Sequence, residues 1–255
     1  MPIVNVYDQQ LWYEDCGSGD VVLMLHGFTG TGRTHLGPQI DFFAQHYRVI
    51  APDLRGYGRS EPKPRPFGAD FYRQDALDAG ALLDALGIAS AHVLGYSDGA
   101  EAAVLLAEER PDRVRSVVAW GVTGVFDPEN ASSARDFLPV ADWETRRPEW
   151  RQGIIDLHGS ESLAPIIEGW SAGVLAILAA GGDVSLARAD TIRCPVLLIN
   201  GEHDEGNPPY LARQLAQRIP DCTFEIWPGL GHPVHSEATD PFNQRVLAFL
   251  RDCSR

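Results

Sequence analysis

Short apolar, β-rich runs alternate along the chain with longer stretches whose apolar positions recur at helical spacing. That is the rhythm of an α/β protein built on a mostly parallel sheet. Ile3-Val4-Asn5-Val6 and Leu11-Trp12-Tyr13-Glu14 lie close together and predict an opening antiparallel hairpin. Val21-Val22-Leu23-Met24-Leu25 is apolar throughout, as suits a strand covered on both faces. The same pattern predicts strands at residues 47–51, 92–95, 114–120, 195–199 and 223–227, about eight in all. Helical spacing links Ala76-Leu77, Ala81-Leu82-Leu83 and Leu86, then Ala102-Ala103 with Leu105-Leu106, and last Val246-Leu247 with Phe249-Leu250.

One interval breaks the rhythm. Residues 123–190 carry no buried-strand pattern, only helical patterns with Trp143, Trp150, Trp170 and several prolines. An irregular loop of that length does not suit a compact domain. The interval therefore reads as a helical cap, residues 123–190, inserted into an α/β core made of residues 1–122 and 191–255. It is expected to pack over the carboxyl ends of the strands, where open α/β sheets bind ligands.

Composition narrows the class. The 255 residues are 44% hydrophobic and 22% charged, the proportions of one elaborated globular domain. A formal charge of -14 repels phosphate backbones and anionic headgroups, so neither nucleic acid nor a membrane is an expected partner. Cys16, Cys194, Cys222 and Cys253 are scattered, with no C-x-x-C and no paired histidine spacing. Neither a metal site nor a disulfide framework is indicated, and no cofactor is expected. The first residues lack a basic segment followed by an apolar one, and the most apolar later stretch, residues 172–182, falls short of the roughly 20 residues a spanning helix needs. A cytoplasmic location follows as an expectation; the oligomeric state is left open.

The chemistry centres on Gly95-Tyr96-Ser97-Asp98-Gly99, which ends a predicted strand and opens a helix. A bare G-x-S-x-G is a loose pattern, and the glycines alone could serve an ordinary strand-to-helix turn. In this context, however, small residues allow a sharp turn that exposes the serine hydroxyl beside free amides of a helix start. A serine hydroxyl needs a base to take its proton, and the base needs an acid to orient it. Asp204 follows one predicted strand and His232 the next, both at the same sheet edge as Ser97. Glu202 and Glu205 lie close enough to be confused with Asp204, Asp127 is a rival acid after an earlier strand, and His235 is a rival base. Backbone amides of Phe28, in His26-Gly27-Phe28, and of Asp98 are the expected oxyanion donors; the His26 side chain is expected to hydrogen-bond locally.

His26-Gly27-Phe28, Asp53-Leu54-Arg55-Gly56-Tyr57-Gly58-Arg59-Ser60, Gly95-Tyr96-Ser97-Asp98-Gly99, Gly201-Glu202-His203-Asp204 and Gly231-His232 occur in an order that resembles the α/β-hydrolase fold superfamily over essentially the whole chain. Ser97-Asp98-Gly99, Trp120-Gly121, Trp143-Glu144-Thr145-Arg146-Arg147-Pro148 and His232-Pro233-Val234-His235 are further similar to the valacyclovir hydrolase (biphenyl hydrolase-like) group of α-amino-acid ester hydrolases. Ala100 departs from that group, which tends to carry another glycine there, as does the polar stretch Asp204-Glu205-Gly206-Asn207-Pro208. The resemblance implies a Ser97, His232 and Asp204 triad, and a substrate ammonium bound by Asp98. Alternatively, Asp98 is a first-turn acid that complements the helix dipole, modestly stabilising at roughly 0.3–1 kcal/mol.

Arg33, Arg55 and Arg59 are expected in loops near this edge in supporting roles, with Asp53 anchoring the Arg55 loop. Trp143, Trp150 and Trp170 are candidates for the substrate pocket. The expected activity is serine hydrolysis of a small-molecule carboxylic ester, with α-amino-acid esters foremost. Lactone or carbon-carbon bond hydrolysis, perhydrolysis, and a non-catalytic ligand-binding protein are the alternatives. Ser97 at the elbow excludes an aspartate nucleophile.

Overall fold

A computed structural model describes residues 2–253. The chain opens with β1 (Ile3–Val6), β2 (Gln9–Gly17) and β3 (Val21–Leu25), then α1 (Gly32–Phe43), β4 (Arg48–Pro52), α2 (Phe71–Ala85), β5 (Ala91–Tyr96), α3 (Asp98–Glu109) and β6 (Val114–Trp120). Four helices follow without a ladder strand: α4 (Ser132–Asp136), α5 (Trp143–Arg146), α6 (Pro148–His158) and α7 (Leu163–Ala179). The chain then closes with β7 (Val196–Gly201), α8 (Pro209–Arg218), β8 (Cys222–Trp227), α9 (Val234–Glu237) and α10 (Thr239–Cys253).

The eight strands form one sheet in the order β1-β2-β4-β3-β5-β6-β7-β8. β1 and β2, and β2 and β4, pair antiparallel; every other pair is parallel. The apolar strands are explained by their alternation across two covered faces. Val22, Met24, Leu94, Val118, Trp120, Leu197 and Ile199 pack with Leu36, Ile40 and Phe43 of α1 and Phe242, Val246 and Leu250 of α10. Their neighbours Leu23, Leu25, Val93, Val117, Ala119 and Leu198 face the opposite cluster, with α2 and α3. The chain leaves β3 for β4 on one side and returns to β5 on the other. The loops after β3 and β5 therefore part at a topological switch point.

The helical segment between β6 and β7 has no separate core. Its buried Trp143, Ile154, Ile166, Trp170 and Val174 continue the cluster that holds Phe71, Val93 and Ala103. This segment also corrects the expectation about long apolar helices. Residues Ser160–Ala179 form 20 helical residues of mean hydropathy 1.5, long and apolar enough by length and composition to cross a membrane. The helix begins well before residue 172 because Leu163, Ile166 and Ile167 belong to it. Half of the stretch is buried against the rest of the chain, which is how a core helix comes to be this apolar.

The arginines are paired. Arg33 lies in α1, not in a loop, and its guanidinium meets Glu14 and Asp41. Arg55 is held by buried Asp78 and by Asp8, and Arg59 lies 4.3 Å over the Trp12 ring. Asp53 accepts hydrogen bonds from the amides of Gly32 (3.2 Å) and Arg59 (3.0 Å), tying the loop after β4 to the start of α1.

Candidate active site

β5 ends at Tyr96 and α3 starts at Asp98, leaving Ser97 in a turn of a single residue. Its backbone has φ 56° and ψ -118°, a region that costs a non-glycine residue of order 1–3 kcal/mol and that such elbows use to expose the side chain. The turn can be this sharp because α3 begins directly against the end of β3. A Cβ on Gly99 would lie 2.2 Å from the Leu25 carbonyl oxygen.

The loops after β7 and β8 meet this serine. His232 Nδ1 lies 2.7 Å from Asp204 Oδ2, and His232 Nε2 lies 3.0 Å from Ser97 Oγ. A carboxylate only accepts, so Nδ1 carries the proton and Nε2 is free to accept from the serine hydroxyl. Asp204 is buried, and its Oδ1 accepts from the Asn207 amide at 2.8 Å. The ring of His232 rests on Gly121, whose φ is +62°; a Cβ there would stand 2.7 Å from His232 Cε1.

The rivals are occupied elsewhere. His235 Nδ1 accepts from Trp120 Nε1 (2.9 Å), which leaves Nε2-H to donate to the His35 carbonyl (3.0 Å). Both nitrogens are committed, and burial lowers its pKa to about 4. Asp127 bonds Tyr210 Oη and the amides of Glu129 and Asn130. Glu202 takes the Gly229 amide, and Glu205 is exposed.

The loop after β3 runs beside the serine, since a Cβ on Gly27 would lie 3.0 Å from Ser97 Cβ. Phe28 and Asp98 thus follow adjacent strands, in which Leu25 and Gly95 pair in register. As the first residue of α3, Asp98 has an amide with no acceptor inside the helix. His26 is a local support: Nε2 accepts from the Leu54 amide (2.9 Å), so Nδ1-H donates to Gly27 O (2.8 Å). Burial holds this imidazole well below its ordinary pKa, hence neutral.

Ser97, Asp98 and His232 open onto a cavity of about 310 Å³ that Trp150 and Trp170 also line. Trp150 Nε1 donates to Thr29 Oγ1 (2.9 Å), and the Trp170 ring stacks on Phe28 at 4.5 Å. Trp143 corrects the pocket expectation, because it does not line the cavity. It is fully buried behind Trp150, 4.8 Å between rings, and its Nε1 donates to Phe137 O (2.6 Å).

Asp98 is not a surface first-turn acid. It is 8% exposed, with Oδ1 accepting from Tyr72 Oη and Oδ2 from Trp170 Nε1, both at 3.0 Å. Burial pushes its pKa up to about 7 against the pull of those two donors and of Arg65.

Sequence reasoning missed several lining residues, among them Tyr72, Glu101, Phe126 and Asn207. Glu101 had a signal, since it stands three residues after Asp98 on one helix face. Its carboxylate accepts from the amides of Thr123 and Gly124, from Thr123 Oγ1 and from Ser185 Oγ, clamping both ends of the helical segment to α3.

Known proteins carry the same architecture. The family model described as alpha/beta hydrolase fold matches residues 20–168. The serine hydrolase BPHL of Homo sapiens is 31% identical over 97% of this chain and 85% of that protein. Among solved structures, a thermophilic esterase from Thermogutta terrifontis superposes with a TM-score of 0.78 at 24% identity, covering 99% of each chain. The enol-lactonase from Burkholderia xenovorans LB400 superposes at 0.76 with 28% identity, covering 98% of this chain and all of that one.

Proposed function

The chain belongs to the alpha/beta hydrolase fold family, and within that family of hydrolases we propose that it is a serine esterase acting on small carboxylic esters, α-amino-acid esters foremost. The reading is carried by the hydrogen-bonded series Ser97 Oγ, His232, Asp204 facing a cavity that also holds the buried carboxylate of Asp98. The serine-hydrolase relative BPHL supports it.

His232 takes the Ser97 proton as Oγ attacks the ester carbonyl, and Asp204 stabilises the imidazolium. The amides of Phe28 and Asp98 receive the oxyanion. His232 then protonates the leaving alcohol, and water repeats the sequence on the acyl-enzyme to release the acid. A carboxylate beside this oxyanion opposes it, and an α-ammonium on the acyl group would neutralise that carboxylate while the aromatic walls hold the side chain. Residues 123–190 serve as the cap over this cavity, through Trp150 on Thr29 and Trp170 on Asp98.

Matched p-nitrophenyl esters test the reading: acetyl and butyryl against valyl and phenylalanyl, with wild type, Ser97→Ala and Asp98→Ala. Ser97→Ala is expected to lose about 10⁴-fold or more in kcat. Asp98→Ala is expected to erase a preference for aminoacyl esters of roughly 10- to 100-fold, the scale of one charge-assisted contact. Equal losses on acetyl and aminoacyl esters would remove the ammonium role, and wild-type rates in Ser97→Ala would remove the serine mechanism.

A further inference from the structure

A second cavity, of about 150 Å³, lies among α2, α3 and the end of α7, where Leu105, Ile177 and Val184 line it with charged Asp70, Arg73 and Asp183. Among the described residues Tyr72 alone is common to this lining and to that of the catalytic cavity. Its phenol is 3% exposed and fixed on several sides. Oη donates to Asp98 Oδ1, the ring packs 3.9 Å from the Phe71 ring, and it stacks on Phe126 at 6.3 Å. Phe126 and Trp170 also line the catalytic cavity, Phe126 against the Tyr72 ring and Trp170 against Asp98.

We propose that Tyr72 is a specificity-determining partition: its ring closes the acyl end of the catalytic cavity and keeps acyl groups short. The inference rests on the esterase reading, which places the acyl group toward Asp98. Two properties make Tyr72 a wall. A ring locked by two aromatic neighbours and one hydrogen bond cannot swing aside without breaking all three contacts. Behind it lies a space in which Asp70, Arg73 and Asp183 stand beside the apolar side chains, so an alkyl chain meets either the ring or a cavity that is partly charged. Removing the ring vacates its own apolar volume and joins the two spaces.

The experiment compares p-nitrophenyl butyrate with octanoate on wild type, Tyr72→Phe and Tyr72→Ala. Each newly accommodated methylene is worth about fourfold in kcat/KM. The octanoate-to-butyrate ratio is therefore expected to rise about fivefold or more in Tyr72→Ala, little more than one methylene's worth. Tyr72→Phe keeps the wall and loses only the hydroxyl, so its ratio should stay that of wild type whatever its overall rate. A wild-type ratio in Tyr72→Ala, or an equal rise in Tyr72→Phe, overturns the partition. Tyr72→Val takes the same test should the alanine variant fail to fold.

Calorimetric binding of octanoate to Ser97→Ala and to Ser97→Ala/Tyr72→Ala separates this inference from the esterase reading. Tightening by about fivefold or more supports the partition even where Ser97-dependent turnover is absent, an outcome that sinks only the esterase reading. Unchanged affinity sinks the partition alone.

Discussion

Asp98 makes the stability of this protein depend on pH in a way that one substitution isolates. Its carboxyl titrates near 3.8 when unfolded and at about 7 when folded, because burial disfavours the anion. With the folded pKa raised, the native state binds the proton more tightly than the unfolded chain. The contribution of Asp98 to stability is therefore fully present below about pH 3.8 and is lost progressively as pH rises to about 7, by roughly 4 kcal/mol in all. Asp98→Asn removes the ionisation and fits the site: its Oδ1 can accept from Trp170 Nε1, which only donates, while its NH₂ donates to Tyr72 Oη, which can also accept. The stability difference between asparagine variant and wild type then carries the Asp98 titration alone, since other titrating groups are common to both.

From about pH 5 to about pH 8 that difference should move by roughly 3 kcal/mol in favour of the variant. For a chain of this length the shift corresponds to about 5–10 °C in the relative Tm. Thermal or urea unfolding of both proteins at four pH values measures it. A difference that stays constant across this range would refute the claim that Asp98 is buried with a raised pKa. A carboxylate stabilised as an anion in the folded state would instead leave the difference flat in this range and move it in favour of wild type as pH rises from about 3 to about 5.

Two further outcomes follow from the packing. Gly121→Ala places a methyl 2.7 Å from His232 Cε1 at a φ of +62°, so kcat should fall by about 10²- to 10⁴-fold with little change in KM, while circular dichroism keeps the native spectrum. Trp143→Ala should cost about 3–5 kcal/mol in urea unfolding and leave the acyl preference unchanged, because that ring supports Trp150 from behind without lining the cavity. An altered acyl preference at full stability would show the opposite.

How far the site was legible depended on what each residue's role is tied to. Ser97, Asp204 and His232, which the structure brings together, could be singled out because each follows a strand, and the ends of those strands were placed from apolar runs to within a residue or two. The same runs located all eight strands: burial on both faces leaves an apolar signature in β3 to β7, while β1, β2 and β8, which are partly exposed, showed as short β-rich runs mixed with polar residues. Composition could not say which way a helical side chain points. Trp143, Trp150 and Trp170 look alike in the sequence, and only the packing of α5, α6 and α7 turns two indoles into the cavity and hides the third. Tyr72 was invisible for a related reason. It lies in α2 at an ordinary apolar position, and its contact with Asp98 exists only because α2 and α3 pack side by side. His235 and His232 were ranked by spacing, whereas the decisive fact is the Trp120 indole that occupies His235 Nδ1.

Asp98 also shows why its two readings from sequence were not true alternatives. A carboxylate at the first position of α3 gains from the helix dipole only modestly, yet burial has pushed its pKa up to about 7, so desolvation outweighs the dipole and the donors together. Such an acid is poorly placed as a stability device, because Tyr72 and Trp170 together do not restore its ordinary pKa. Its cost falls when a cation enters the cavity, and in the proposed reaction the oxyanion on the amide of the same residue would gain from that neutralisation. A neutral ester offers no such relief and meets either a protonated Asp98 or an opposing charge. The burial that makes Asp98 unfavourable in the empty site is therefore what would let it discriminate an aminoacyl ester from a neutral one of the same shape.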